Sequence, residues 1–170
     1  MSKPAVKVRY YRLKNKLKEK TAGLALEPGA IIEFDEDVLA DAEDAFQEMA
    51  EEYPDWVMGL INELFEIFRR CVDDDVNRKG YFERINAIAH DMRGQGGTFG
   101  YQLITDFAEG LYNFTQRGSG LSDSHVEIIK AHLDAMRVVI RDRVEGDGGD
   151  IGKALKEGLE ESVKRYSNKK

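Results

Sequence analysis

The chain has little cysteine, little proline and no long apolar run, and each of these features argues against a class of protein. Among its 170 residues there is one cysteine, Cys71, so no disulfide can form within the chain. Its N-terminus is too basic and too poor in apolar residues for a secretory signal, and together these features predict a cytoplasmic protein. With three prolines and short runs of β-branched residues, the chain favours helices over sheet. No apolar run reaches the roughly 18 residues of a membrane-spanning helix, so we expect no transmembrane segment.

Positive charge is also scarce, except at the N-terminus. The formal net charge is −7, although residues 1–20 hold eight Lys or Arg and one Glu, a net +7. Subtraction leaves −14 on residues 21–170. Because an acidic surface repels phosphates, we expect no nucleic-acid binding by the folded region. The basic arm itself leaves open a tether to an acidic partner, a nucleic acid or a membrane surface.

Apolar residues recur at helical spacing from residue 35 onward and predict a series of helices. Asp35 is the expected N-cap of the first, which ends near Glu52, and Pro54 suits the first turn of the second. The second helix is apolar over most of its circumference, so we expect it deepest in the core, with Trp56 and Cys71 among its apolar residues. Four later helices are predicted. The first carries His90, the second spans 101–116, the third runs from 122 or 123 to about 145, and the fourth lies within 146–170.

This series of helices predicts an all-α protein in three parts. Residues 1–34 form a basic arm and linker, residues 35–145 a helical bundle, and residues 146–170 an amphipathic helical extension. Glycines at 146, 148 and 149 mark the break before the last part.

The most informative stretch surrounds His90. Upstream of it, an apolar stripe at i, i+3, i+4 and i+7 predicts one buried helix face, formed by Ile85, Ile88, Ala89 and Met92. His90 lies off this stripe, and the residues one turn away from it are small or polar. A solvent-facing imidazole with bare surroundings is accessible to a large partner.

The spacing around His90 resembles that of the histidine-containing phosphotransfer (HPt) family. The family motif is a His, two variable residues, a Lys, a Gly, five variable residues and a Gly. It is matched by His90, Arg93, Gly94 and Gly100, with Arg in place of Lys, and the resemblance covers about residues 35–144. It implies an antiparallel four-helix bundle that carries a phosphoryl group on the histidine between aspartates of receiver domains in two-component phosphorelay signalling.

Carried over residue by residue, the resemblance makes His90 the phosphoacceptor. Arg93 would stabilise the phosphoryl oxygens, and Gly94 would leave room for access to the ring. Imidazole attacks phosphorus only when neutral, as an unperturbed ring largely is at pH 7. The sequence has no nucleotide-binding motif and no metal-ligand set, so the protein would be a relay intermediate and no kinase. It would bind no cofactor itself, and Mg²⁺ would reside on the partner receiver.

The receiver domains of response regulators or hybrid histidine kinases are the partners that the resemblance implies. Asn86, Ala87 and Gly97 are the candidate docking residues, because they lie on the same face as His90 or just beyond it. An alternative remains open: a non-catalytic helical bundle that docks a receiver or another signalling protein without being phosphorylated.

The two other histidines, His125 and His132, are seven residues apart on one predicted helix and share a face. Without nearby cysteines or acidic ligands, this spacing rarely makes a metal site. We expect both to be solvated helix residues, and we expect Cys71 to be a core residue rather than a nucleophile.

Overall fold

The computed structural model describes residues 36–116 and 122–167. All regular secondary structure in these two stretches is helical, and neither stretch contains a strand. This confirms the predicted all-α class for the described part of the chain. The elements are α1 (Glu36–Asp73), α2 (Arg78–Gln95), a 3₁₀ helix (Gly96–Phe99), α3 (Gln102–Gln116), α4 (Asp123–Arg141) and α5 (Gly149–Ser167).

The chain divides into two compact units, residues 1–42 and 43–170. Of the first unit, the structure describes residues 36–42, the beginning of α1; the predicted basic arm lies outside the described residues. The second unit contains the rest of α1 and the four later helices. The predicted C-terminal extension is the helix α5, which belongs to this second unit and packs on α4.

The core of the second unit forms where the apolar faces of its helices meet. Helix α2 packs along α3, and α3 packs along α4. Helix α1 joins them at its C-terminal half, where the Arg78 side chain at the start of α2 donates a hydrogen bond of 2.8 Å to the Cys71 carbonyl. Cys71 is fully buried, as a core residue should be. The largest fully buried side chains include Ile61, Leu64, Ile85, Met92, Leu103, Ile104, Leu111, Ile129, Leu133 and Met136.

Helix α1 corrects the prediction of two helices separated near Pro54. It is one helix of 38 residues, and Pro54 lies inside it. Proline removes one backbone hydrogen bond, but the apolar spacing runs through it without a break, so burial of the following turns keeps the helix continuous. The predicted position of Trp56 deep in the core is also wrong, because its side chain is 47% exposed.

The connection between α2 and α3 fixes the end of the helix that carries His90. Helix α2 continues through Gly94 to Gln95 and passes directly into the 3₁₀ helix. Gly97 N–H donates to Thr105 Oγ1 of α3 at 2.9 Å. Gly100 adopts φ +82°, the left-handed region that favours glycine, and its carbonyl accepts a hydrogen bond from Gly146 N–H at 2.6 Å. The last turn of α2 is therefore held in place against α3 and the α4–α5 connection.

Candidate functional site

Helix α2 presents His90 to solvent on the side away from its buried stripe. The four stripe residues predicted from the sequence are all buried, and His90 is exposed. The imidazole is therefore open to a large reaction partner, as the sequence pattern predicted.

Arg93 and Tyr112 complete a small cluster around the His90 ring. Arg93 Nη2 lies 3.5 Å from His90 Nδ1, at the outer limit of a hydrogen bond. The Arg93 guanidinium carbon lies 4.6 Å from the centre of the Tyr112 ring, and the His90 and Tyr112 ring centres are 5.3 Å apart. A cation–π contact of this kind contributes about 0.5–1 kcal/mol at an exposed site. Tyr112 therefore helps to hold the guanidinium beside the imidazole.

Sequence reasoning missed Tyr112. It lies at the edge of the apolar stripe of α3, directly after the buried Leu111, and is half-buried. An aromatic residue that flanks a buried stripe can reach across to a neighbouring helix, but the sequence alone does not show which helix lies there.

The glycines that follow His90 serve different purposes. Gly94 is exposed, and a Cβ atom added to it would have no heavy atom within 4 Å, so its surroundings are open. Gly96 is buried, and an added Cβ would lie 2.8 Å from both the Thr105 nitrogen and the Tyr101 oxygen. Gly94 thus leaves space next to His90, whereas Gly96 permits the close approach of α2 and α3.

The three predicted docking residues have different environments. Ala87 is exposed beside His90 and lines a groove of about 190 Å³ that also includes Trp56 and Asp91. Gly97 is exposed. Asn86 is half-buried, and its side-chain amide donates hydrogen bonds of 2.9 Å to the Tyr112 carbonyl and to Thr115 Oγ1. Because this amide ties α2 to α3, Asn86 has a structural role within the chain that the sequence did not reveal.

His132 corrects the expectation that both other histidines are solvated. Its side chain is only 4% exposed, and Nδ1 lies 2.8 Å from the Ile128 carbonyl, so Nδ1 carries the proton and donates. The ring fits where α3 has Gly110, at which an added Cβ would lie 2.9 Å from Nε2. Helix α4 is covered by α3 and α5, and His132 lies in its middle, whereas the half-buried His125 lies near its start.

Burial of His132 predicts a pH-dependent stability. Burial lowers the pKa of His132 below its usual value, because a charged ring loses its hydration. The unfolded chain therefore binds a proton at a pH where the native ring stays neutral. We expect the free energy of unfolding to fall as the pH drops below about 6.5, by at most about 1.4 kcal/mol per pH unit, until the native ring titrates.

Urea denaturation at pH 7.5 and at pH 5.5 measures this effect. The loss of stability between the two pH values should be smaller in His132→Gln than in the original chain. An equal loss in both proteins would show that His132 is not the group responsible.

In residues 36–116 and 122–167 there is no group of three or more His, Cys, Asp or Glu side chains that could hold a metal ion. No helix in these two stretches has the length and apolar character needed to cross a membrane.

Comparison of the chain with protein-family models, with curated proteins and with solved structures finds no match in any of the three.

Proposed function

We propose that this chain is a histidine phosphotransfer protein that relays a phosphoryl group between receiver-domain aspartates through His90. The observation that carries this proposal is the exposed His90 ring with the Arg93 guanidinium 3.5 Å from it. Within the proposal, α1 to α4 form an antiparallel four-helix bundle and α5 is an addition to it. In this proposal the relay acts in the cytoplasm, where the single cysteine would remain a free thiol.

The proposed reaction is an in-line displacement at phosphorus. The lone pair of the unprotonated ring nitrogen of His90 attacks the phosphorus of an aspartyl phosphate on the receiver. A nitrogen–phosphorus bond forms, the phosphorus–oxygen bond to the aspartate breaks, and the aspartate leaves as a carboxylate. The ring keeps its proton on the other nitrogen. Transfer to a second receiver reverses these steps, and no oxidant or reductant is needed.

Arg93 provides the positive charge that this reaction requires on the histidine side. A guanidinium can donate two parallel N–H groups to phosphoryl oxygens and is always charged. The Tyr112 ring fixes its position before the partner arrives, which reduces the cost of ordering a long side chain.

Access to His90 depends on the exposed part of α2 around it. Ala87, Gly94 and Gly97 present little side-chain bulk to an approaching protein surface. In this proposal the receiver brings the Mg²⁺ and the phosphorylated aspartate.

Incubation with receiver domains carrying a radiolabelled aspartyl phosphate tests the proposal. The chain should acquire a label that is stable to alkali and lost in acid, as a phosphoramidate is. His90→Gln should acquire none. If the chain binds the labelled receiver but acquires no label itself, the non-catalytic docking module is the correct function.

Replacement of Arg93 separates its role in transfer from any role in folding. We expect Arg93→Ala to slow phosphoryl transfer by about 10- to 100-fold, the range of a lost charge-assisted contact of 1.5–3 kcal/mol. Its free energy of unfolding should change by only about 0.5–1 kcal/mol, because the lost contact is partly exposed. Arg93→Lys should retain most of the transfer rate. Rapid-quench transfer kinetics and urea denaturation measure the two effects, and a stability loss that accounts for the slower transfer would contradict the assigned role.

A further inference from the structure

Helix α1 carries an exposed apolar seam that the proposed phosphotransfer does not use. Phe46, Met49, Tyr53 and Trp56 follow one another at intervals of three, four and three residues, the spacing of a helix-pairing seam. Phe46, Met49 and Trp56 are 47%, 57% and 47% exposed. Single exposed apolar residues are common, but a contiguous set of large ones marks an interaction surface.

The end of α2 and the 3₁₀ helix turn this seam into a groove. The Phe99 ring lies 4.6 Å from the Tyr53 ring and 5.7 Å from the Phe46 ring, centre to centre. We name the cavity beside them the α1 groove. Its volume is about 450 Å³, and its lining residues are Met49, Glu52, Tyr53, Trp56, Gln95 and Phe99.

Tyr53 lines the α1 groove and has a buried hydroxyl. Among the described residues, its hydroxyl is the one buried side-chain oxygen or nitrogen that lacks a hydrogen-bond partner. Burial, followed by the neighbouring Tyr101, raises the pKa of Tyr53 to about 12, so the hydroxyl keeps its proton at neutral pH. The buried hydroxyl is not open to an occupant, so Tyr53 contributes its ring to the groove.

The charged residues of α1 along the seam are all acidic. Residues 43–68 of α1 contain no Lys or Arg, and the first basic residue is Arg69. A second copy of this chain would bring the same negative charge against the seam, which disfavours self-association through it. A positively charged partner would gain from the same field. The acidic residues of this stretch are Glu43, Asp44, Glu48, Glu51, Glu52, Asp55, Glu63 and Glu66.

We propose that the α1 groove and its seam bind a basic amphipathic helix of a partner protein. The apolar face of that helix would enter the groove between Met49 and Trp56, in the manner of helix-in-groove recognition. Its Lys and Arg residues would lie against the carboxylates of α1, including Glu52 in the groove wall. This binding is separate from phosphotransfer and does not require His90.

Trp56 provides a direct readout, because it is the only tryptophan in the chain. The probe is a synthetic 18-residue peptide without tryptophan, with leucines at intervals of three and four and lysines elsewhere. We expect a saturable blue shift of Trp56 fluorescence at one peptide per chain. A peptide of the same composition in scrambled order should bind at least about 10-fold more weakly, because it lacks an apolar face. His90→Gln should bind the ordered peptide as the original chain does.

Matched charge variants distinguish this site from general attraction to an acidic protein. Glu52→Lys should weaken binding by about 5-fold, since it replaces an attraction by a repulsion at the groove. Glu161→Lys makes the same change on the exposed surface of α5 and should leave the Kd unchanged. Met49→Ala should weaken binding by about 10-fold through lost apolar contact. Far-UV circular dichroism confirms that each variant is folded.

Several results would overturn this proposal. Equal binding of the ordered and scrambled peptides, or equal effects of Glu52→Lys and Glu161→Lys, would show non-specific attraction. A Trp56 spectrum that is already blue-shifted and does not respond to the peptide would show that another part of the chain covers the groove. Sedimentation that reveals a dimer with Trp56 protected would show that a second copy is the occupant.

Discussion

Replacement of Gly94 by leucine is expected to raise the stability of the protein and to block phosphoryl transfer to His90. Glycine in a helix costs up to about 1 kcal/mol relative to a good helix former, and an added side chain at Gly94 meets no heavy atom within 4 Å of its Cβ. The leucine side chain would point toward the helix N-terminus and cover the residue four positions before it, which is His90. A partner displaced by about 1 Å can lose about 100-fold in rate, so we expect at least that loss.

A small phosphoryl donor provides the control for this prediction. Phosphoramidate needs no docking surface, so its reaction with His90 should be slowed much less by Gly94→Leu than the reaction with a phosphorylated receiver. Urea denaturation measures the change in stability. A variant that receives phosphoryl groups from the receiver at the original rate would show that the space at Gly94 is not used for docking.

Gly96 lies two residues after Gly94, and Gly96→Ala is expected to lower the stability of the protein instead of raising it. The added methyl group would lie 2.7 Å from Thr105 Oγ1 and 2.8 Å from two backbone atoms, the Thr105 nitrogen and the Tyr101 oxygen. Backbone atoms in a packed helix cannot move aside cheaply. We expect a loss of about 1–3 kcal/mol in the free energy of unfolding, the usual cost of forcing extra volume into a well-packed site.

Gly97→Ala is the matched control for Gly96→Ala. Its nearest neighbour would be Gln102 Oε1 at 3.2 Å, the end of a flexible side chain that can rotate away. Urea denaturation should therefore show a much smaller change for Gly97→Ala. Similar losses for the two variants would contradict the close packing of α2 on α3 at Gly96.

Periodicity within single helices could be predicted from the sequence. The buried stripe of α2 follows from the 3.6-residue repeat alone, and the exposure of His90 follows from its position off that stripe. The bounds of α3 follow from glycines, and the start of α4 follows from an N-cap residue, Ser122, whereas α4 ends at Arg141 and not near residue 145 as predicted. These features depend on neighbours within a few residues, which the sequence displays directly.

Features that depend on contacts between helices could not be predicted in the same way. Tyr112 reaches Arg93 because α3 lies beside α2, and Asn86 bonds to α3 for the same reason. His132 is buried because helices cover α4 on two sides. Helical periodicity could not show this, because His132 lies on the same face of α4 as the more exposed His125. Pro54 signalled a helix start because proline is common there, but the continuous apolar seam of α1 overrides that preference.

The position of Trp56 is the most useful of these corrections. A helix that is apolar over most of its circumference is expected to be buried, yet Phe46, Met49 and Trp56 of the α1 seam are about half exposed. The same residue lines both the groove beside Ala87 and the α1 groove. Trp56 fluorescence can therefore report on partners that approach either side of α2.

Locating the phosphoryl group on the chain tests the central claim most directly. After incubation with a phosphorylated receiver, the protein is digested at neutral pH and sequenced by tandem mass spectrometry under conditions that preserve phosphoramidates. We expect a single phosphorylated residue, His90. A phosphoryl group on His125 or on any other residue, or an unmodified chain after incubation with every receiver tested, would contradict the account.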